Sequence, residues 1–492
     1  MKRTCQNFDR LQGQKPHLIN YRQPMNKLIF FELNEVPVRI LDYYRHARRN
    51  SWLAKNYLNL KKYETYSENI GHLSPWNTWP TVHRGVSNER HYISDFNQDL
   101  IEVDREFPPI WDILTKNGVK TGVFGSFHSY PLPSELTNYD FYVPDVFAAG
   151  SECFPASIDI FQDVNLKLSR ESARNVDRSV PFGQIARLVS KITDLGFRPS
   201  TMLDIGGHLA QERVAPWKAT RRRTYQSVLA FDVFYKLLRS RKPDFVTFFT
   251  NHVASSMHRY WAALFPDDYE NQKYEQDWIE TYGGEIVFAM DKTDKMLARL
   301  GAFVDANPEY KLIVTSSMGQ NAIECEPFET QLYVDDKVKF MAVLGVEAGD
   351  FEPLPSMLPQ FNFAISESRN AEVENKLTSL AVNGEPIVFR HLAGKGFSVD
   401  LGHQNLKETT ISLGGRSIDL DESGLKNVVI EDKSSSTAYH IPEGHLFIYH
   451  PSFAASAVAN EQMPTAEIAS LILHNFGVER PNYMTSSIAG SI

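Results

Sequence analysis

Five short segments gather the side chains that could do chemistry. Asn34 and Glu35 follow the apolar run Lys27-Leu-Ile-Phe-Phe-Glu-Leu33, and Ser74-Pro-Trp-Asn-Thr78-Trp-Pro80 frames a hydroxyl between tryptophans and prolines. Asn251-His252 and, a little further on, His258-Arg259 follow the run Asp244 to Thr250; Thr315-Ser-Ser317 ends another apolar run; Tyr439-His440 comes late. Carboxylate and imidazole groups are ligands for a divalent cation. A histidine–arginine pair binds phosphate, sulfate or carboxylate without one, through charge-assisted hydrogen bonds. Each residue also has a plainer reading. Thr78 suits a helix N-cap after a turn. His258, Arg259 and Trp261 suit a helix face packed on a neighbouring unit, and His83 and Arg84 suit either a pocket lining or a helix turn under a sheet. His91 reads as a buried, hydrogen-bonded histidine near a turn.

The segment Pro75-Trp-Asn-Thr78-Trp-Pro80 resembles the Pro-x-x-Thr-x-Pro nucleophile segment of the nucleotide pyrophosphatase and phosphodiesterase branch of the alkaline phosphatase superfamily. Arg84-Gly85 and His91-Tyr-Ile93 resemble that family's next two segments more loosely. The resemblance implies Thr78 as nucleophile and two zinc ions held by carboxylates and histidines at strand ends. Position by position the ligands depart from that pattern. Asn34, with Glu35 beside it, stands where an Asp is expected. Thr250-Asn251-His-Val-Ala-Ser255 stands for an Asp and a His four apart, and Ser316-Ser317-Met318-Gly319 for Ser-Asp-His-Gly. Tyr439-His440-Ile-Pro-Glu-Gly444 matches the segment of the final histidine. Asparagine keeps the shape of aspartate but not its charge, and Ser and Met serve a divalent ion poorly. A binuclear zinc site is therefore not expected. A single zinc or other divalent metal on some of Glu35, His252, His258 and His440 stays open, as does no metal at all. On this reading Thr78, His258 and Arg259 are the catalytic candidates. Asn34, Asn251, His252, Arg84 and Ser317 bind substrate, and Glu35 and His440 are the metal ligands.

Elements must bring these segments together. Four apolar runs, Lys27–Leu33, Lys120–Phe127, Asp244–Asn251 and Lys311–Ser317, alternate with stretches of helical periodicity, and each ends in polar residues. That rhythm predicts an α/β fold, a doubly wound and mostly parallel sheet with helices on both faces and a ligand site at the carboxyl ends of the strands. The expected organisation is an N-terminal tail over 1–25 and a core over 26–345 with a helical insertion near 150–215. A small α+β cap over 346–432 and a return to the core over 433–492, through Leu446–His450, complete it.

Bulk properties narrow the function. A net charge of −9 over 492 residues argues against a nucleic-acid partner. Cys5, Cys153 and Cys325 have no spacing for a disulfide framework or a thiolate zinc site. No window approaches the roughly 18 apolar residues of a membrane span, and the first 24 residues lack the apolar stretch of a signal peptide. A cytoplasmic location is expected, and a homo-oligomer is compatible with these numbers. Two functions remain in contention. One is a hydrolase or transferase acting on a small phosphate or sulfate ester, such as a nucleotide-sugar or glycan ester. The other is a catalytically dead member serving as a binding or assembly module.

Overall fold

The computed structural model describes residues 27–95, 98–170, 191–356, 358–392, 396–456 and 461–486; the N-terminal tail and the middle of the expected insertion lie outside them. An eight-stranded sheet organises the core. Its strands are β1 (Lys27–Leu33), β2 (Leu60–Tyr66), β3 (Thr121–Phe124), β4 (Tyr139–Val143), β5 (Phe245–Thr250), β6 (Tyr310–Thr315), β9 (Glu443–Tyr449) and β10 (Glu461–Pro464). Between β6 and β9, two short strands, β7 (Gly319–Ala322) and β8 (Ala438–Ile441), pair with each other antiparallel outside the sheet. The strand order is β10-β2-β9-β6-β1-β5-β3-β4. Strands β6, β1, β5, β3 and β4 run parallel, while β9 lies antiparallel between β6 and β2.

β1 sits in the middle because its residues can be buried on both sides. Ile29, Phe31 and Leu33 face one apolar core and Leu28 and Phe30 the other, the signature of a central parallel strand. The first core is completed by α1 (Val38–Ala47), α3 (Arg222–Arg241), α4 (His252–Leu264) and α5 (Glu285–Ala306). The second takes α2 (Pro75–Arg84) and α6 (Glu467–Asn475). Helices therefore cover both faces, as the alternation of strands and helical stretches requires.

A third apolar core belongs to the expected cap and begins earlier than the sequence suggested. Leu332, Val334, Phe340, Met341 and Leu344 already pack with Phe363, Val373, Leu377 and Phe397. Two four-stranded antiparallel sheets lie in this part, one built around Gln360–Ile365 and Gly396–Asp400, the other around Leu380–Val382 and Ile411–Leu413. The described parts of the expected insertion are helical, over Asp159–Arg170, Ile192–Leu195 and Pro199–Glu212. No helix among the described residues is long and apolar enough to cross a membrane.

Candidate metal centre

Three chain reversals at the carboxyl edge of the sheet build one cluster. β1 ends at Leu33, and Glu35 takes a left-handed backbone conformation, φ 58°, which a non-glycine residue adopts only at a cost of about 1 kcal/mol. The turn sends the buried Glu35 carboxylate back across the strand ends. α4 starts after β5 and brings His258 forward, with its Nε2 2.9 Å from Glu35 Oε2. β8 pairs with β7 so that His440 lies opposite Gln320, and His440 Nε2 reaches within 3.4 Å of the same oxygen. Gly319 makes the close passage possible, since a side chain there would meet the Glu443 carbonyl at 2.2 Å. The ligand atoms of Glu35, His258 and His440 all lie within 4.8 Å of one another, the one such cluster among the described residues.

The hydrogen bonds around the cluster fix what each ring nitrogen does. His258 Nδ1 donates to the Ala438 carbonyl at 2.8 Å and His440 Nδ1 to the Leu73 carbonyl at 2.7 Å. A neutral imidazole whose Nδ1 carries the proton keeps a lone pair on Nε2. Two such lone pairs aimed at a carboxylate oxygen demand a positive charge between them, either protons on the rings or a cation. Burial alone would raise the Glu35 carboxyl, but His440 and His258 outweigh it and hold Glu35 well below the usual carboxylate range. Burial pulls His440 down, and the Glu35 carboxylate overrides it and raises the imidazole. One carboxylate and two imidazoles, each with its outer nitrogen tied to a carbonyl, fit a borderline divalent ion such as zinc. Around them Asn34, Asn251 and Ser317 supply no further carboxylate, so the donor set suits one ion and not two.

The predicted residues divide into those that meet here and those that do not. Asn34 Nδ2 donates to Glu35 Oε1 and to Asn251 Oδ1, both at 2.7 Å, and Trp79 Nε1 donates to Asn34 Oδ1 at 2.7 Å. Thr78 lies at the same edge but is fully buried, not reachable by solvent. It is also not the cap of its helix: Ser74 caps α2 in a reciprocal pair with Asn77, and Pro75 follows at the first helical position. Thr78 sits a turn further in, with Oγ1 3.1 Å from the Ser74 carbonyl and 2.8 Å from Ser317 Oγ. Thr78→Ala is accordingly expected to cost about 1–2 kcal/mol in urea unfolding, because it leaves the buried Ser317 hydroxyl without its partner; an unchanged midpoint would show that the pair contributes nothing.

Three candidates fall away. His252 turns inward, where Nδ1 meets Thr250 Oγ1 at 2.7 Å and Nε2 meets Thr293 Oγ1 at 3.0 Å on α5, and burial pushes its imidazole down to about 4. It packs α4 on α5 and does not face the cluster. Arg84 ends α2 fully buried, bound to Asp104 at 2.8 Å and to the Phe107 carbonyl at 2.9 Å, so it fastens a loop and is not a substrate ligand. Arg259 points behind the site to the buried Asp432 at 3.4 Å, where Tyr260 also donates at 2.7 Å. Adjacent helix positions face different directions, so His258 and Arg259 cannot act as a pair on one ligand.

No family model matches the chain, and no curated protein matches it in sequence. Among solved structures, murine ectonucleotide pyrophosphatase/phosphodiesterase 5 is similar over 94% of this chain and 97% of its own, at 11% identity and a TM-score of 0.40. The human ectonucleotide pyrophosphatase/phosphodiesterase 5 is similar over the same shares at 12% identity and a TM-score of 0.38. Phosphonoacetate hydrolase from Sinorhizobium meliloti, in complex with phosphonoformate, is similar over 92% of this chain and 96% of its own, at 12% identity and a TM-score of 0.40.

Sequence reasoning missed Gln320 and His72 and gave Tyr439, though named with His440, no role. Gln320 Nε2 donates to Glu35 Oε2 and to the Ala254 carbonyl; its place one residue past the Ser-Ser-Met-Gly segment was the available signal. His72 and Tyr439 flank His440, with Tyr439 Oη 3.3 Å from His72 Nε2. His128 supports the same segment in a way the sequence does not announce. Pro80 inside α2 has no N–H for the Trp76 carbonyl, and His128 Nε2 donates to that carbonyl at 2.9 Å instead.

Proposed function

We propose that the chain is a hydrolase or transferase acting on a small phosphate or sulfate ester, with one divalent cation held by Glu35, His258 and His440. The observation that carries this reading is the convergence of one carboxylate and two carbonyl-anchored imidazoles at the carboxyl ends of parallel strands. When bound, a divalent ion supplies Lewis acidity toward an ester oxygen. The protein's part is to hold that charge where ligand can reach it. Glu35 offsets half of a dication's charge, the two histidines bring no charge, and Asn34 and Gln320 keep the carboxylate from rotating. The burial of Thr78 supports attack by water rather than by Thr78. Water then forms the new bond to phosphorus or sulfur, the ester oxygen leaves, and the proton lost by the water ends on the leaving oxygen.

One observation favours a second reading, a binding module without turnover. The hydroxyl that the sequence resemblance makes a nucleophile is sealed and already hydrogen-bonded to Ser74 and Ser317. Elemental analysis after incubation with zinc, manganese or magnesium, followed by assays on nitrophenyl phosphate and sulfate esters, separates the two. About one equivalent of metal, lost in His440→Ala, together with metal-dependent turnover is the result expected. Metal without turnover of any ester selects the binding module, and no retained metal under any condition overturns the site.

A further inference from the structure

The amide side chains beside the cluster have only one consistent orientation, and it leaves a pair of donors facing outward. An indole N–H can only donate, so the Asn34 atom 2.7 Å from Trp79 Nε1 must be its carbonyl oxygen. The NH2 group of Asn34 is then turned to Glu35 Oε1 and Asn251, each at 2.7 Å. Both of its protons are used, so the atom that Asn251 presents to Asn34 must be Oδ1. The NH2 group of Asn251 is left on the far side. Asn251 is exposed, and no group among the described residues takes those two protons. It stands two hydrogen bonds from the Glu35 carboxylate. Trp79 and Asn34 are both fully buried, so the exposed amide is oriented from the inside of the protein.

We propose that Asn251 Nδ2 is a ligand-binding donor that contacts one oxygen of an oxyanion, phosphate or sulfate in type, whose other oxygens face the Glu35, His258 and His440 centre. Trp79 and Asn34 are positioning residues that act through it. This deepens the function proposed above and rests on it. The ligand must bring an acceptor, because the exposed end of Asn251 carries only donors. A carboxylate at this position would keep its bond to Asn34 and repel the same ligand.

The test is calorimetric titration of inorganic phosphate into the zinc-treated full-length protein, with zinc content measured on each sample. Asn251→Asp should retain zinc and weaken phosphate binding by about tenfold or more. Trp79→Phe, which removes the donor to Asn34 Oδ1 while Glu35 Oε1 still takes Asn34 Nδ2, should retain zinc and weaken binding by a smaller factor. Zinc retained with phosphate affinity within about twofold of wild type in Asn251→Asp overturns the inference, as does a zinc-loaded wild type that binds no phosphate. Should Trp79→Phe fail to fold, the exposed Asn251 substitution still decides. A wild type that holds no zinc sinks the metal reading instead. Asn251 is then judged by phosphate titration of the metal-free protein, where loss in Asn251→Asp upholds the donor role and unchanged binding ends it.

Discussion

Replacing Glu35 by Gln is expected to cut divalent-ion affinity by at least about a hundredfold while leaving the fold standing. The charge is what a dication needs, and Glu35 is the only carboxylate in the cluster. The fold should survive because every neighbour but Gln320, which keeps only its bond to the Ala254 carbonyl, still finds a partner. A glutamine oxygen can accept from Asn34 Nδ2, and its NH2 group can donate to the Nε2 lone pairs of His258 and His440, which neutral rings offer once their Nδ1 protons go to Ala438 and Leu73. The change in unfolding free energy should therefore stay within about 1 kcal/mol for a hydrogen-bonded isostere. Competitive titration with a chromophoric zinc chelator measures the affinity, and thermal melts of the metal-free proteins measure the fold. Zinc binding by Glu35→Gln equal to wild type would mean that the ion sits elsewhere. Loss of folding would mean that the carboxylate is first a structural counter-ion for the two histidines.

The sheet was legible because its strands are buried on both faces. Lys27–Leu33 carries apolar side chains to two cores and has no other stable home, and Phe245–Thr250 and Tyr310–Thr315 repeat the pattern. The strand next to one edge escaped notice for the opposite reason. Leu60–Tyr66 reads Leu-Lys-Lys-Tyr-Glu-Thr-Tyr, half exposed and charged, and nothing local distinguishes it from a surface loop. The antiparallel sense of Glu443–Tyr449 was not readable either, since direction is set by where the chain re-enters after the second unit. The second unit itself shows in the sequence as a change of pattern, but its start does not. The strand at Thr330–Val334 looks like any other short apolar run until its antiparallel partner, Leu425–Val429, is known.

At the site, residue types predicted location better than role. Asn34, Glu35, Thr78, Asn251, His258, Ser317 and His440 all reach the carboxyl edge of the sheet: Asn34, Glu35, Asn251 and Ser317 follow strands that end there, and Thr78, His258 and His440 lie in α2, α4 and β8, which pass it. His252 and Arg259 are adjacent to such residues only in sequence, and Arg84 lies six positions beyond Thr78 on the same helix; a helix turns neighbours by about 100° per residue. His252 and His258 illustrate it: six residues apart on one helix, the first is buried against α5 and the second faces Glu35. Thr78 shows a different limit. Sequence places a hydroxyl near the edge, but whether solvent reaches it depends on Ser317 in the segment after β6.

Acidification from pH 7 to 5 is expected to destabilise the protein through buried neutral histidines, offset in part by Asp145, whose carboxyl burial pushes up to about 6 so that the fold binds that proton first. Burial pushes His91 and His128 down to about 3, and His252 and His445 down to about 4, from the ordinary 6.5. His91 Nδ1 accepts from the Ile93 N–H at 2.9 Å, a bond that protonation would remove; His252 and His445 are equally enclosed. The unfolded chain takes up these protons near pH 6.5 and the folded chain only near pH 4 or below, so stability falls as pH drops between those values. At pH 5 each histidine costs about 2 kcal/mol, and Asp145 returns about 1 kcal/mol, so the net loss is a large part of the folding free energy of a typical domain. Urea unfolding of the metal-free protein at half-unit pH steps measures this slope. His252→Gln, which can still bond to Thr250 or Thr293 but does not titrate, should remove about 2 kcal/mol of the loss at pH 5. A midpoint that stays constant from pH 7 to 5 would mean that these imidazoles find water or a counter-charge on protonation, and that the packing of α4 against α5 opens to let it in.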